Sequence, residues 1–146
     1  MEKNDRYAVK LPAEGEIEIV ECTGRIYDWL VEQCECEYIE TIRVIGEKNL
    51  VMVGDEESKL VSDPVINKAA TILYGAYMYG DCVCGNVIIL KETAGGNFKL
   101  LSLEQAEKLA DRVRKIMENG NAASMIDYLE ATGQLTTEPR MTFIAF

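Results

Sequence analysis

A chain of 146 residues, 48% hydrophobic and 27% charged, carries enough apolar material for one buried core and lies outside the composition of disordered chains. Fifteen Lys and Arg against twenty-five Asp and Glu give a net charge of −10, which disfavours direct binding to nucleic-acid phosphates or an anionic membrane. There is no histidine, so Ser-His and Cys-His nucleophiles are excluded.

The chain opens polar, Met1-Glu2-Lys3-Asn4-Asp5-Arg6, with no apolar stretch of signal-peptide type after it. No apolar run approaches the roughly 20 residues of a membrane helix, so a cytoplasmic location is expected, with the five cysteines as thiols. Tyr7 to Leu11 and Glu16 to Val20 read as strands joined through Pro12 and Gly15; the alternation turns Ile17 and Ile19 inward and Glu16 and Glu18 to water. Thr23 is a candidate N-cap for a helix over about 24–33, with Ile26, Trp29, Leu30 and Cys34 on one face. Tyr38 to Ile45 and Leu50 to Val53 form a hairpin through Gly46-Glu47-Lys48-Asn49. Asp55 to Ser58 turns the chain into a short strand, Lys59-Leu60-Val61, which Asp63-Pro64 breaks.

Asn67 can cap a helix through Tyr74; Gly75 weakens its continuation to Tyr79, and Gly80 is a candidate stop. Val83 to Lys91 is a buried strand, and Ser102 with Gln105 forms a capping box for a long amphipathic helix that Asn119-Gly120 ends. A second helix is expected over about 122–131 and a strand-like tail over 141–146. Strands outnumber helices and are linked by hairpin-length connections. The expected class is therefore α+β: a mainly antiparallel sheet with helices on one face and a C-terminal helical extension. Residues 1–120 make the domain, and 121–146 pack on it.

The constellation closest to a metal site is the pair of Cys-x-Cys motifs, Cys34/Cys36 and Cys82/Cys84. Four converging thiolates would suit zinc, but structural zinc ligands are usually spaced more widely and no histidine assists, so buried thiols are the simpler reading. Asp55, Glu56, Glu57 and Asp63 lack the glycine and terminal Glu of a calcium loop. No phosphate-binding glycine motif is present. No metal, cofactor or catalytic residue is therefore indicated. Tyr74, Tyr77 and Tyr79 can stack on a base, or sit as amphipathic residues at a core edge or interface. Residues 14 to 40 hold nine acids and one base, a net of −8 that includes Glu16, Glu18, Asp28 and Glu32.

Tyr38-Ile39-Glu40, Asp55-Glu56-x-x-Lys59-Leu60, Pro64-x-x-Asn67 with Ala70-Thr71, Asp81 with Gly85-Asn86-Val87-Ile88-Ile89, and Ser102-Leu103 occur in that order. In this order they resemble a family of small bacterial proteins, frequent in phages, plasmids and conjugative elements and classed as a domain of unknown function. The resemblance covers residues 37–105. The family usually has a Gly pair where this chain has Glu35-Cys36-Glu37, and commonly Gly at the place of Ser58; the segment beyond Gly120 is an addition. The resemblance implies no enzymatic activity. It does imply a mobile-element setting, in which small proteins often bind a host component.

The expected function is therefore non-catalytic binding, of a protein partner or a small nucleotide held near Tyr74, Tyr77 and Asn86, with self-association possible. One alternative is an acidic decoy that occupies a nucleic-acid-binding protein through Glu16, Glu18, Asp28 and Glu32. The other is a carboxylate-based or metal-assisted enzyme.

Overall fold

The computed structural model describes residues 5–44, 47–60, 64–75 and 82–118. In chain order these form β1 (Tyr7–Leu11), β2 (Glu18–Glu21), α1 (Ile26–Cys34), β3 (Ile39–Arg43), β4 (Leu50–Asp55), α2 (Lys68–Tyr74), β5 (Val87–Glu92), β6 (Phe98–Lys99) and α3 (Leu103–Glu118). The six strands make one antiparallel sheet in the order β2-β1-β5-β4-β3, with β6 pairing the far end of β5. The α+β class and the antiparallel sheet are as the sequence predicts.

The helices do not share one face. α2 and α3 cover the face that carries Val9, Leu11, Ile42, Met52, Val87 and Ile89. α1 covers the other, placing Trp29, Leu30 and Cys34 against Ala8, Val51, Val53, Ile88 and Leu90. The reason is written in the central strands. Val87-Ile88-Ile89-Leu90 and Val51-Met52-Val53 are apolar at successive positions, so their period-two pleat sends buried side chains to both sides. Each face then needs its own cover.

Local signals set most of the elements. The capping box forms as expected: Gln105 N–H donates to Ser102 Oγ at 3.1 Å, and Ser102 N–H donates to Gln105 Oε1 at 3.0 Å. α3 turns Ala106, Ala110 and Val113 inward, the three- and four-residue spacing of a one-faced helix. Asn67 caps α2, and Gly75 at φ 88° ends it in the left-handed conformation that glycine adopts at no steric cost.

Other expectations fail for identifiable reasons. α1 begins at Ile26 behind Arg25, with no side-chain cap, so Thr23 does not cap it; Gly24, at φ 78°, turns the chain between the two. Lys59 and Leu60 lie in a continuing turn, with Leu60 N–H donating to Glu57 O at 2.9 Å, so no strand runs through them. β5 begins at Val87, because Gly85 at φ 79° interrupts the extended run and only Cys84 makes a single bridge, to Ile66. The helix expected over 122–131, the strand over 141–146 and the stop at Asn119-Gly120 lie outside the described residues.

Candidate functional site

Several of the segments that carry the family pattern, Tyr38-Ile39, Asp55-Glu56, Asn67 and Gly85-Asn86-Val87, meet at one end of the sheet. Ser102-Leu103 instead follows Leu101, which bridges Tyr7 at the other end of β1, and Asp81 lies outside the described residues. Asn67 sits at the centre. It is buried, and its amide donates to Leu11 O and to Gly85 O, both at 2.8 Å, while its Oδ1 accepts from Ala70 N–H at 3.1 Å. One side chain thus fastens the end of β1, the loop before β5 and the first turn of α2. Its own N–H donates to Val83 O at 2.7 Å. Thr71, one turn further along α2, accepts from Val83 N–H at 2.9 Å.

Asn86 does similar work one layer out. Its Oδ1 accepts from Ala13 N–H at 2.9 Å and its amide donates to Glu35 Oε2 at 3.3 Å. It therefore joins the β1–β2 connection to the end of α1. Glu56 N–H donates to Tyr38 O at 3.0 Å, closing the β3–β4 end. Asp55 Oδ1 accepts from Glu57 N–H at 2.8 Å, an Asx turn that occupies one of its carboxylate oxygens. Asp63 lies outside the described residues.

Beside Asn67 a groove of about 730 Å³ opens between the β1–β2 connection, the start of α2 and the end of α3. Its apolar lining includes Pro12, Ile17, Val65 and Met117; Lys68, Arg114, Glu14, Glu16 and Glu118 supply charge of both signs. Arg114 is held in place, donating to Ile17 O at 3.3 Å and to Asp111 Oδ1 at 3.2 Å. Sequence reasoning missed this groove, because its walls come from three stretches up to a hundred residues apart. The one local hint was Pro12 and Gly15 in a connection that does not continue the strand.

Of the predicted ligand residues, Tyr74 and Asn86 do not line this groove. Tyr74 is half-buried at the last turn of α2, packed against the α2–α3 core. Asn86 instead follows Gly85, whose carbonyl accepts from the Asn67 side chain at the N-cap of α2. Tyr77 lies outside the described residues. Of the acidic residues, Glu16, Glu18, Asp28 and Glu32 are all exposed. Glu18 shares its strand face with Val20, which packs on the α1 side, so Glu18 and the α1 acids occupy the same side of the sheet.

The two Cys-x-Cys motifs do not converge. Cys34 packs beneath α1 with Cys36 at its margin, whereas Cys82 and Cys84 lie with Ile66 and Ile72. Among the described residues no group of three or more His, Cys, Asp or Glu could hold a metal ion. Burial first, then the neighbouring Cys36 and Asp55, push the Cys34 thiol from an ordinary 9.0 up to about 12, against the pull of Lys10. Burial and then Asp55 raise Cys36, and burial alone raises Cys22. None of the three is thereby a reactive thiolate near neutral pH.

No helix among the described residues is long and apolar enough to cross a membrane. No curated protein and no solved structure matches the chain. Residues 7–114 match a family model described as a domain of unknown function, a wider span than 37–105, and the chain belongs to that family, DUF3846.

Proposed function

We propose that this protein works by binding rather than by chemistry, and that the groove beside Asn67 receives a small ligand with an apolar body. The groove carries the reading. Its volume of about 730 Å³ lies within the roughly 300–1,000 Å³ of small-molecule sites, and its lining joins apolar contact area to charged side chains of both signs that can orient a ligand. The buried polar side chains around it, Asn67 and Thr71, are engaged in holding the fold. Without histidine, the side chain best suited to proton transfer near neutral pH is missing. A ligand drawn from a host cell, nucleotides included, fits the mobile-element setting that the family resemblance implies.

The test is native mass spectrometry on gently purified protein, alongside Val65→Trp. Val65 is 39% exposed on the groove wall, so a larger side chain there fills the groove without entering the core. A retained small mass that Val65→Trp loses supports the reading. A bare wild-type chain whose melting temperature no nucleotide shifts would sink it.

The acidic-decoy reading retains one supporting observation: Glu18, Asp28 and Glu32 are exposed on the same side of the sheet. A complex of that kind would weaken steeply between low and moderate salt, whereas retention of a ligand held in the groove through its apolar body would depend on salt far less.

A further inference from the structure

We infer that the outer edge of β3 docks a second copy of this chain, the two β3 strands pairing antiparallel about Thr41 so that one sheet runs through both molecules. β3 ends the order β2-β1-β5-β4-β3, so among the described residues one of its sides has no neighbouring strand. The ladder on its other side fixes which groups face outward. Glu56 N–H donates to Tyr38 O, and the register from Ile39↔Asp55 to Arg43↔Val51 is unbroken. By the alternation of an antiparallel pair, Glu40 and Ile42 then bond to β4. The backbone N–H and C=O of Ile39, Thr41 and Arg43 therefore point away from the sheet, and Thr41 and Arg43 are exposed.

The two edges of the sheet are built differently. β2, at the opposite edge, carries Glu18 and Glu21 and no base, a charge that turns an acidic chain away. β3 carries one acid and one base, with no proline and no bulge to blunt it.

A second β3 is the strand that matches it. Centring the pair on Thr41 sets Ile39 opposite Arg43 of the second copy, and every outward N–H and C=O of the three residues finds a partner. A register moved by two leaves one end unpaired. The same register brings Arg43 diagonal to Glu37 of the second copy, on one side of the sheet. Both side chains are exposed, and neither forms an ion pair within its own chain among the described residues. On the other side, Glu40 falls opposite Ile42 and diagonal to the second Glu40. Two-fold symmetry makes the Arg43–Glu37 contact twice and the Glu40–Glu40 contact once, so attraction exceeds repulsion. The pairing uses the same surface on both chains and closes at two.

Sedimentation equilibrium on the full chain tests this. The wild type should approach twice the chain mass at the top of a concentration series and dissociate on dilution. Thr41→Pro removes an N–H that points away from β4, so the dimer should be lost while the monomer keeps its ladder. Glu21→Pro makes the same change at the β2 edge and should leave the dimer. Arg43→Glu should raise the dissociation constant by at least about tenfold, and the exchange Glu37→Arg/Arg43→Glu should restore it. Monomer at every concentration overturns the assignment. So does a dimer indifferent to Thr41→Pro, one lost with Glu21→Pro, or an exchange that restores nothing. Should Thr41→Pro fail to fold, the charge exchange decides.

Discussion

Asn67 shows how one residue can read correctly in sequence and still be understated. Its role as an N-cap is local, three residues from its partner, and the pattern Asn-x-x-Ala ahead of a helical run announces it. Its other two bonds reach Leu11, 56 residues away, and Gly85, 18 away, and no sequence window contains them. Asn67→Ala would leave the buried Leu11 carbonyl, the part-buried Gly85 carbonyl and the buried Ala70 N–H short of a partner. At about 1–3 kcal/mol for each unsatisfied group, a loss of roughly 3–5 kcal/mol is expected in urea unfolding. A loss below about 1 kcal/mol would mean that water replaces the amide.

Glu35 is the converse case. It closes α1 at φ 53°, the one non-glycine residue with positive φ among those described. Glu35→Gly should raise stability by about 0.5–1 kcal/mol, reduced somewhat by loss of the exposed 3.3 Å bond from Asn86. Cys34 makes a pH prediction. Its folded thiol is pushed up to about 12 from 9.0, so above pH 9 the unfolded chain gives up a proton that the native chain keeps. Stability from this group is whole below about pH 9 and declines as pH rises toward 12. Cys34→Val should flatten that decline in alkaline denaturation curves; an unchanged slope would assign it to other groups.

At the scale of elements, the two helix starts give a paired test. Ser102 caps α3 through a reciprocal pair of bonds, and Ser102→Ala should cost about 1 kcal/mol. Thr23 has the same chemistry but lies outside α1, whose N-cap is Arg25, so Thr23→Ala should stay within about 0.5 kcal/mol of wild type. Equal losses at both sites would restore the longer helix that Thr23 announces in sequence. The capping box was legible because all of its atoms lie within four residues. The start of α1 was not, because the return of Cys22 N–H to Arg6 O at 2.7 Å keeps the chain in register with β1 just past the end of β2, and only then does Gly24 turn it.

For the whole molecule, the net charge of −10 works against compaction, and the exposed pairs Arg6–Glu21, Lys108–Glu104 and Arg112–Glu47 offset little of it. Melting temperature should therefore rise between low and moderate salt, as screening relieves the repulsion. A fall would mean that the ion pairs outweigh the surplus acid.

The sequence by itself determined the α+β class, the antiparallel pairing through short turns, the inward positions Ala106, Ala110 and Val113 of α3 and the start of α2 at Asn67. Each rests on periodicity or on chemistry within a few residues. Tertiary structure alone decided that the helices divide between two faces and that the two Cys-x-Cys pairs stay separate. It also decided that Leu11–Ile17, Val65–Ala69 and Arg114–Glu118 enclose a groove. Those outcomes depend on which strand lies beside which. That order is fixed by burying both faces of Val51–Val53 and Val87–Leu90 at once, a condition on the whole sheet that no local stretch can express.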